Sequence, residues 1–315
     1  MRKKIIFSVI ISGVLLYFLL SVTKPSEIIS TLYEMPFPYL ITSFVLYTLT
    51  IILRTMRFNF VLDTKLKLRK LFNIIAIHNL MINLIPMRLG DFSYVYLMKK
   101  KGIHISKGLS QLLIIRVYDV IAVSIIFIIS SFLVKDTPLI VNYYVKIIMV
   151  FLFLLLSGFF ISLRFDKKLV KILKKLNPLK KLMLIERMFI TLEDLIKNFK
   201  KSWNIKTGLM LFFQSFIIWS INYLMTYVLI KGFGLSFSFW EVSLIFTFLI
   251  ILIMLPISTF SGFGVWEGGL TGAFTAFNIP MAKAVAASFA YHIINILFFL
   301  IIGAIGLTRY LVVDE

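Results

Sequence analysis

Cysteine is absent from the 315 residues, which removes disulfides and thiol chemistry while leaving the compartment open. Acidic side chains are scarce, 14 Asp and Glu against 34 Lys and Arg, for a net charge of +20. Charged residues of all kinds make up only 15% of the chain, and there are three histidines. No metal-ligand spacing, nucleophile–base set or nucleotide-binding loop can be assembled from so few groups. The glycines from Gly262 to Gly269 do not fit a dinucleotide fingerprint either, because no βαβ unit surrounds them. The expectation is a non-enzyme with no cofactor and no metal.

What is present is apolar. Hydrophobic residues form 60% of the chain and mean hydropathy is +0.98. Several apolar runs approach the roughly 20 residues needed to cross a bilayer, so the chain reads as an all-α polytopic membrane protein. The cationic excess would suggest nucleic acid in a soluble protein. Here the Lys and Arg fall mostly in loops between apolar runs, so topology explains them and no nucleic-acid partner is expected.

Basic loops mark the inner side. Met1-Arg2-Lys3-Lys4 followed by Ile5–Leu20 resembles a signal peptide but lacks a small-residue cleavage site, so it reads as a retained first span, residues 5–22. Residues 23–36 read as a nearly neutral outer loop, and residues 37–60 as the second span. Later spans are expected at 109–134, 143–163, 207–230 and 284–312, with both termini cytoplasmic in the cell membrane. Residues 164–206 hold 13 Lys and Arg against 4 Asp and Glu and are therefore inside. Two readings stand for this insert: amphipathic helices lying on the anionic inner leaflet, or a soluble linker hairpin.

Two runs break the pattern. In residues 71–98, Pro86, Arg88, Gly90 and Asp91 interrupt an otherwise apolar stretch. Proline removes a backbone donor and glycine weakens a helix, so the helix breaks near Asn83–Gly90. Entering and leaving on the inner side keeps Lys99, Lys100, Lys101 and Lys107 inside, which favours a re-entrant hairpin; the plainer reading is a kinked helix with Arg88 at the interface. Residues 242–280 repeat the anomaly, with Pro256 and then five glycines between 262 and 272. Both prolines precede a glycine and a carboxylate, Gly90-Asp91 and Gly264…Glu267. The order span, span, hairpin, span thus occurs twice, with an odd number of crossings per unit. Six transmembrane helices plus two re-entrant hairpins in an inverted repeat follow, split at 1–142 and 143–315. Transporters place midplane sites between discontinuous helices in this architecture.

Ionisable groups at membrane depth mark function by default. Arg54, Arg57, Arg88 and Arg116 alternate with Asp91 and Asp119, and guanidinium groups bind phosphate with paired charge-assisted bonds. Arg116 and Asp119, three apart on one helix, also form a self-neutralising structural pair on the alternative reading. Gly262 and Gly264 opening a half-helix would offer backbone N–H groups to an anion. Glu267 in that first turn would cap those N–H groups, or meet an amine or a proton. His78 and His292 read as packing side chains, and Lys146 as a snorkelling cation.

Arg54-x-x-Arg57, Asn83-x-x-Pro86-x-Arg88-x-Gly90-Asp91, Arg116-x-x-Asp119 and Pro256-x5-Gly262-x-Gly264-x-x-Glu267 occur in this order over nearly the whole chain. Together they resemble the lysylphosphatidylglycerol synthase transmembrane region, a family of flippase-like integral membrane proteins. The resemblance implies handling of a lipid head group, either an aminoacylated phospholipid beside a synthase domain or a polyprenyl-phosphate-linked glycan. The chain ends at Glu315, so no synthase domain and no aminoacyl transfer are expected. It departs from the family pattern in having Asp91 where Glu is usual, Tyr94 where Arg is frequent, and His292 near a frequent Arg. The expected function is a translocase, without its own ATPase, for an anionic phospholipid or lipid-linked head group. The alternatives are a non-transporting partner that positions a lipid synthase or glycosyltransferase through 164–206, and an intramembrane lipid-modifying enzyme.

Overall fold

A computed structural model describes residues 13, 17–62, 66–86, 89–135, 137–164, 205–254 and 260–313. Its elements are α1 (Pro25–Tyr33), α2 (Phe37–Val61), α3 (Leu68–Leu84), α4 (Asp91–Lys100), α5 (Ile105–Leu133), α6 (Leu139–Arg164), α7 (Ile205–Gly232), α8 (Phe239–Met254), α9 (Val265–Ala276) and α10 (Met281–Val313). A single 3-10 turn, Phe260–Gly262, precedes α9. No strand occurs among the described residues.

Four of these helices are long and apolar enough to cross a membrane: Phe37–Val61, Ile105–Leu133, Ile205–Gly232 and Met281–Val312. Two shorter apolar stretches, Val141–Leu154 and Phe239–Ile251, lie in α6 and α8. The chain is therefore a multi-pass helical membrane protein. Most of the expected first span, residues 5–22, and nearly all of the basic insert 164–206 fall outside the described residues, as does Pro256.

The helices are turned inside out relative to those of a soluble protein. On α2, Ile41, Val45, Leu49, Ile52 and Met56 are exposed, while Ser43, Tyr47, Thr50, Thr55 and Arg57 are buried. Apolar side chains can face lipid at no cost, whereas polar groups must find partners inside the bundle. Serine and threonine hydroxyls accordingly turn back on their own helices, as Thr55 does to the Ile51 carbonyl at 2.8 Å and Ser130 to Ile126 at 2.7 Å.

Packing is reciprocal between the two halves. Helix α2 lies against α7, α3 against α10, and α8 against α5. The α3–α10 crossing is close because small residues line it: a Cβ at Gly306 would lie 2.6 Å from that of Ala76. Without a hydrophobic force between helices in lipid, such close approach is what van der Waals packing requires. One continuous core runs through these contacts, with Leu71, Ile74, Leu229, Leu249, Leu270 and Phe274 among its fully buried members.

Residues 23–36 differ from the expected loop. Pro25 opens α1, where its missing N–H costs nothing, and Ile28 packs on Val285, Ala286 and Phe289 of α10. A short amphipathic segment of one helix face does not register in a reading based on long apolar runs.

Both expected helix breaks are present. Helix α3 ends at Leu84 and α4 begins at Asp91, so the first break spans 85–90. Helix α8 ends at Met254, and the chain resumes in the 3-10 turn before α9. That turn packs against α3, bringing the second break alongside the first hairpin.

Candidate functional site

Helices α2, α3, α4, α5 and α7 converge on a buried polar cluster. Arg57 projects from α2 with its side chain 2% exposed, and meets Asp119 of α5, 10% exposed. The contact is bidentate: Nη1 donates to Oδ1 at 2.6 Å and Nη2 to Oδ2 at 3.3 Å. Nη1 also donates to Ser215 Oγ at 2.6 Å, and Trp219 Nε1 donates to Asp119 Oδ1 at 2.8 Å. Ser215 and Trp219 of α7 thus each add one hydrogen bond to the pair, while Arg57 Nε stays buried without a partner. Such added bonds offset part of the desolvation cost of a buried pair.

Arg116 is arranged differently. Its Nη2 donates to Asp91 Oδ1 at 2.5 Å, while Asp119, its neighbour along α5, is 3.9 Å away. Its side chain is 32% exposed, and its Nε has no partner. The spacing in sequence suggested an Arg116–Asp119 pair. That ion pair is present at 3.9 Å, and shorter contacts cross between elements, Asp91 for Arg116 and Arg57 for Asp119. Arg54, one turn before Arg57, donates from Nη1 to Asn79 Oδ1 at 3.0 Å; Asn79 in turn donates to the Tyr47 hydroxyl at 2.5 Å. Asn83, one turn further along α3, donates to the Asn79 carbonyl at 2.7 Å. Arg88 lies outside the described residues.

Glu267 belongs to a second cluster, fully buried. Ser261, Gly262 and Gly264 all take positive φ, at 51°, 76° and 84°. Glycine adopts this at no steric cost, whereas Ser261 is strained there, and such strain concentrates at functional positions. The chain thereby turns into the start of α9. Glu267, at the third position of α9, reaches back and accepts the Gly264 N–H on Oε2 at 2.7 Å. Its other oxygen, Oε1, sits 2.6 Å from His292 Nδ1 of α10. His292 Nε2 is 3.0 Å from the Ser261 carbonyl, and the imidazole lies between the rings of Phe263 and Trp266.

The two clusters open on one cavity of about 250 Å³. Arg54, Asn79, Asn83 and Arg116 line one side of it; Ser261, Gly262, Trp266 and His292 line the other. Asn222, Asn295 and Trp219 add polar edges between them. Arg57, Asp91, Asp119 and Glu267 stand behind this lining, and Gly264 faces a separate apolar cleft of about 540 Å³ between α6 and α9. Among the sequence-predicted residues, the cavity therefore gathers Arg54, Asn83, Arg116 and Gly262 directly.

Sequence reading missed several members. His78 packs between elements as read, against Phe58 and Tyr94 with Nδ1 3.1 Å from Ser93 Oγ, whereas His292 also meets Glu267 and lines the cavity. Asn79, Asn222 and Asn295 carried a usable signal, being amides inside long apolar runs. Ser215 and Trp219 carried none, because only the fold brings α7 beside Asp119.

Comparison with known proteins agrees with the motif order. The family described as the lysylphosphatidylglycerol synthase TM region matches residues 5–303. A UPF0104 membrane protein from Methanocaldococcus jannaschii is 30% identical over 234 residues, covering 71% of this chain and 91% of that protein.

Proposed function

This chain belongs to the lysylphosphatidylglycerol synthase transmembrane-region family, and from that premise we propose that it is a flippase-like translocase, without its own ATPase, for an anionic phospholipid or polyprenyl-phosphate-linked head group. The observation that carries this reading is the cavity bounded by Arg54 and Arg116. Two guanidinium groups bonded through single Nη atoms keep further N–H donors for a phosphate. Asn79, Asn83 and Asn222 supply neutral hydrogen bonds beside them. A cavity of this volume suits a head group, with the acyl chains remaining in lipid.

In this reading the residues divide their work. Arg54 and Arg116 receive the phosphate, and Arg88 at the first break is a further donor. Asp91 aims Arg116, while Arg57 and Asp119 tie α2, α5 and α7 together beneath the cavity. The reciprocal packing of α3 on α10 and α8 on α5 supports six spans and two re-entrant hairpins in an inverted repeat. Rocking one half against the other would then expose the cavity to each leaflet in turn. The protein sits in the cell membrane with both termini cytoplasmic, and 164–206 contacts the anionic inner leaflet.

Proteoliposomes test the proposal with fluorescent phosphatidylglycerol, its lysyl derivative and a polyprenyl phosphate. Wild type is expected to move at least one of them. Arg116→Ala is expected to lose that movement by about tenfold or more, the worth of a charged hydrogen bond, while remaining monodisperse. Inserted, folded protein that moves none of the three, but co-purifies with a lipid synthase or glycosyltransferase through 164–206, would instead establish a docking partner.

A further inference from the structure

The His292–Glu267 contact has a defined proton inventory. The Ser261 carbonyl can only accept, so His292 Nε2 carries a hydrogen toward it across 3.0 Å. His292 Nδ1 and Glu267 Oε1 are 2.6 Å apart, a hydrogen-bond distance. Two lone pairs cannot face each other at that separation, so one more proton lies between them. The pair is then imidazolium with carboxylate, or imidazole with carboxylic acid, and neutral overall in both cases. Removing one proton leaves a neutral imidazole with a single N–H for two acceptors, Glu267 Oε1 and the Ser261 carbonyl, so one of the two contacts must weaken.

We propose that the buried His292–Glu267 pair is a proton-binding site whose occupancy is coupled to that of the anion cavity, so that an anionic lipid head group and a proton bind together. This rests on the translocase reading and adds to it the co-transported ion. Three observations support it. His292 and Ser261 line the same cavity as Arg54 and Arg116. Both members of the pair are shielded from bulk water, Glu267 at 0% and His292 at 3% side-chain exposure. The Ser261 hydroxyl is buried without a partner in a strained left-handed residue, so the turn that holds the pair is not at rest.

Charge counting gives the sign of the coupling. Among the described residues of the two clusters, Arg54, Arg57 and Arg116 outnumber Asp91 and Asp119 by one charge. With the pair loaded, the site is net positive and matches a monoanionic phosphodiester. With the pair unloaded, that excess is cancelled and the anion is held less tightly. By reciprocity the bound anion tightens the proton to the same degree. The other ionisable side chains around the cavity are Tyr47 from α2, Tyr223 from α7 and Tyr291 from α10, beside the two arginines; α3, α8 and α9 contribute no further charged lining. Both contacts of His292 reach the segment from Ser261 to Glu267, which places the conformational consequence at the second helix break.

Two measurements on the full chain decide this. Infrared difference spectra of lipid-free protein, stepped between acid and alkaline pH, read the pair directly. A carboxyl or imidazole band that Glu267→Gln and His292→Gln both remove is expected; with ring-labelled histidine the wild type alone reports it, even where a variant does not fold. No such band overturns the proton site. Phosphatidylglycerol movement is then compared with and without a pH gradient, acid on the side the lipid leaves. Wild type is expected to speed up at least threefold, with a ratio of one for His292→Gln. Lipid movement indifferent to the gradient overturns the coupling and leaves the translocase standing. A titrating pair with no lipid movement overturns the translocase reading, and the coupling with it.

Discussion

The two helix breaks share a sequence pattern, proline followed by glycine and a carboxylate, yet they are built for different work. At the first, Asp91 is the opening residue of α4 and points away from its own helix to Arg116 of α5. At the second, Glu267 is the third residue of α9 and folds back on the Gly264 amide, with His292 on its other oxygen. Two residues of register decide the outcome. A carboxylate at the first helical position has no N-cap amide within reach and serves a neighbouring cation. A carboxylate at the third position closes its own helix end. The first break therefore presents a guanidinium to the cavity, and the second presents a turn and an imidazole backed by a carboxylate. On the proposed reading, an anion site with one fixed wall and one protonatable wall would result from two versions of one motif.

The sharpest way to break this comparison is to remove the strut beneath the first wall. Arg57→Ala leaves Asp119 buried with Trp219 and a distant Arg116, and is expected to cost about 3–5 kcal/mol, seen as loss of monodisperse protein and of the thermal transition. Arg54→Gln, whose parent is bonded to a neutral amide, is expected to purify normally by the same assay. The glycines come next. A Cβ at Gly90 would overlap the Met81 and Ile82 backbone, so Gly90→Ala is expected to cost about 1–3 kcal/mol by overpacking the hairpin. Gly264→Ala meets a different penalty, about 1–2 kcal/mol for a left-handed φ of 84°. Thermal melts of the two variants check both magnitudes. The smallest effect belongs to Gly268, where an added Cβ meets nothing within 4 Å. Gly268→Ala is expected to raise stability by up to about 1 kcal/mol through helix propensity alone.

Much of this architecture was written in local chemistry. Long apolar runs placed α2, α5, α7 and α10 to within a few residues, because the bilayer fixes the length of a span. Pro86 with Gly90 located the first break, since both act on the backbone of their own segment. The pairings were illegible for the opposite reason. Arg57 and Asp119 are 62 residues apart and Glu267 and His292 are 25 apart. Only i,i+3 and i,i+4 neighbours can be read from spacing, so Arg116 was matched with Asp119 when Asp91 is its close partner. Histidine in an apolar run looked inert because its hydrogen-bonding capacity shows only beside a carboxylate. Helix α1 was hidden by its brevity, its burial resting chiefly on Ile28.

The most direct test of the central claim is where the head group rests. Phosphatidylglycerol carrying a photoreactive group on its glycerol head would be crosslinked to the full chain in liposomes and the adducts mapped. Adducts are expected on cavity-lining segments, around Ile82–Ile85 of the first break and Asn222–Thr226 of α7, and are lost in Arg116→Ala. Adducts confined to lipid-facing positions such as Val45, Phe132 or Leu154, unchanged by that substitution, would contradict it.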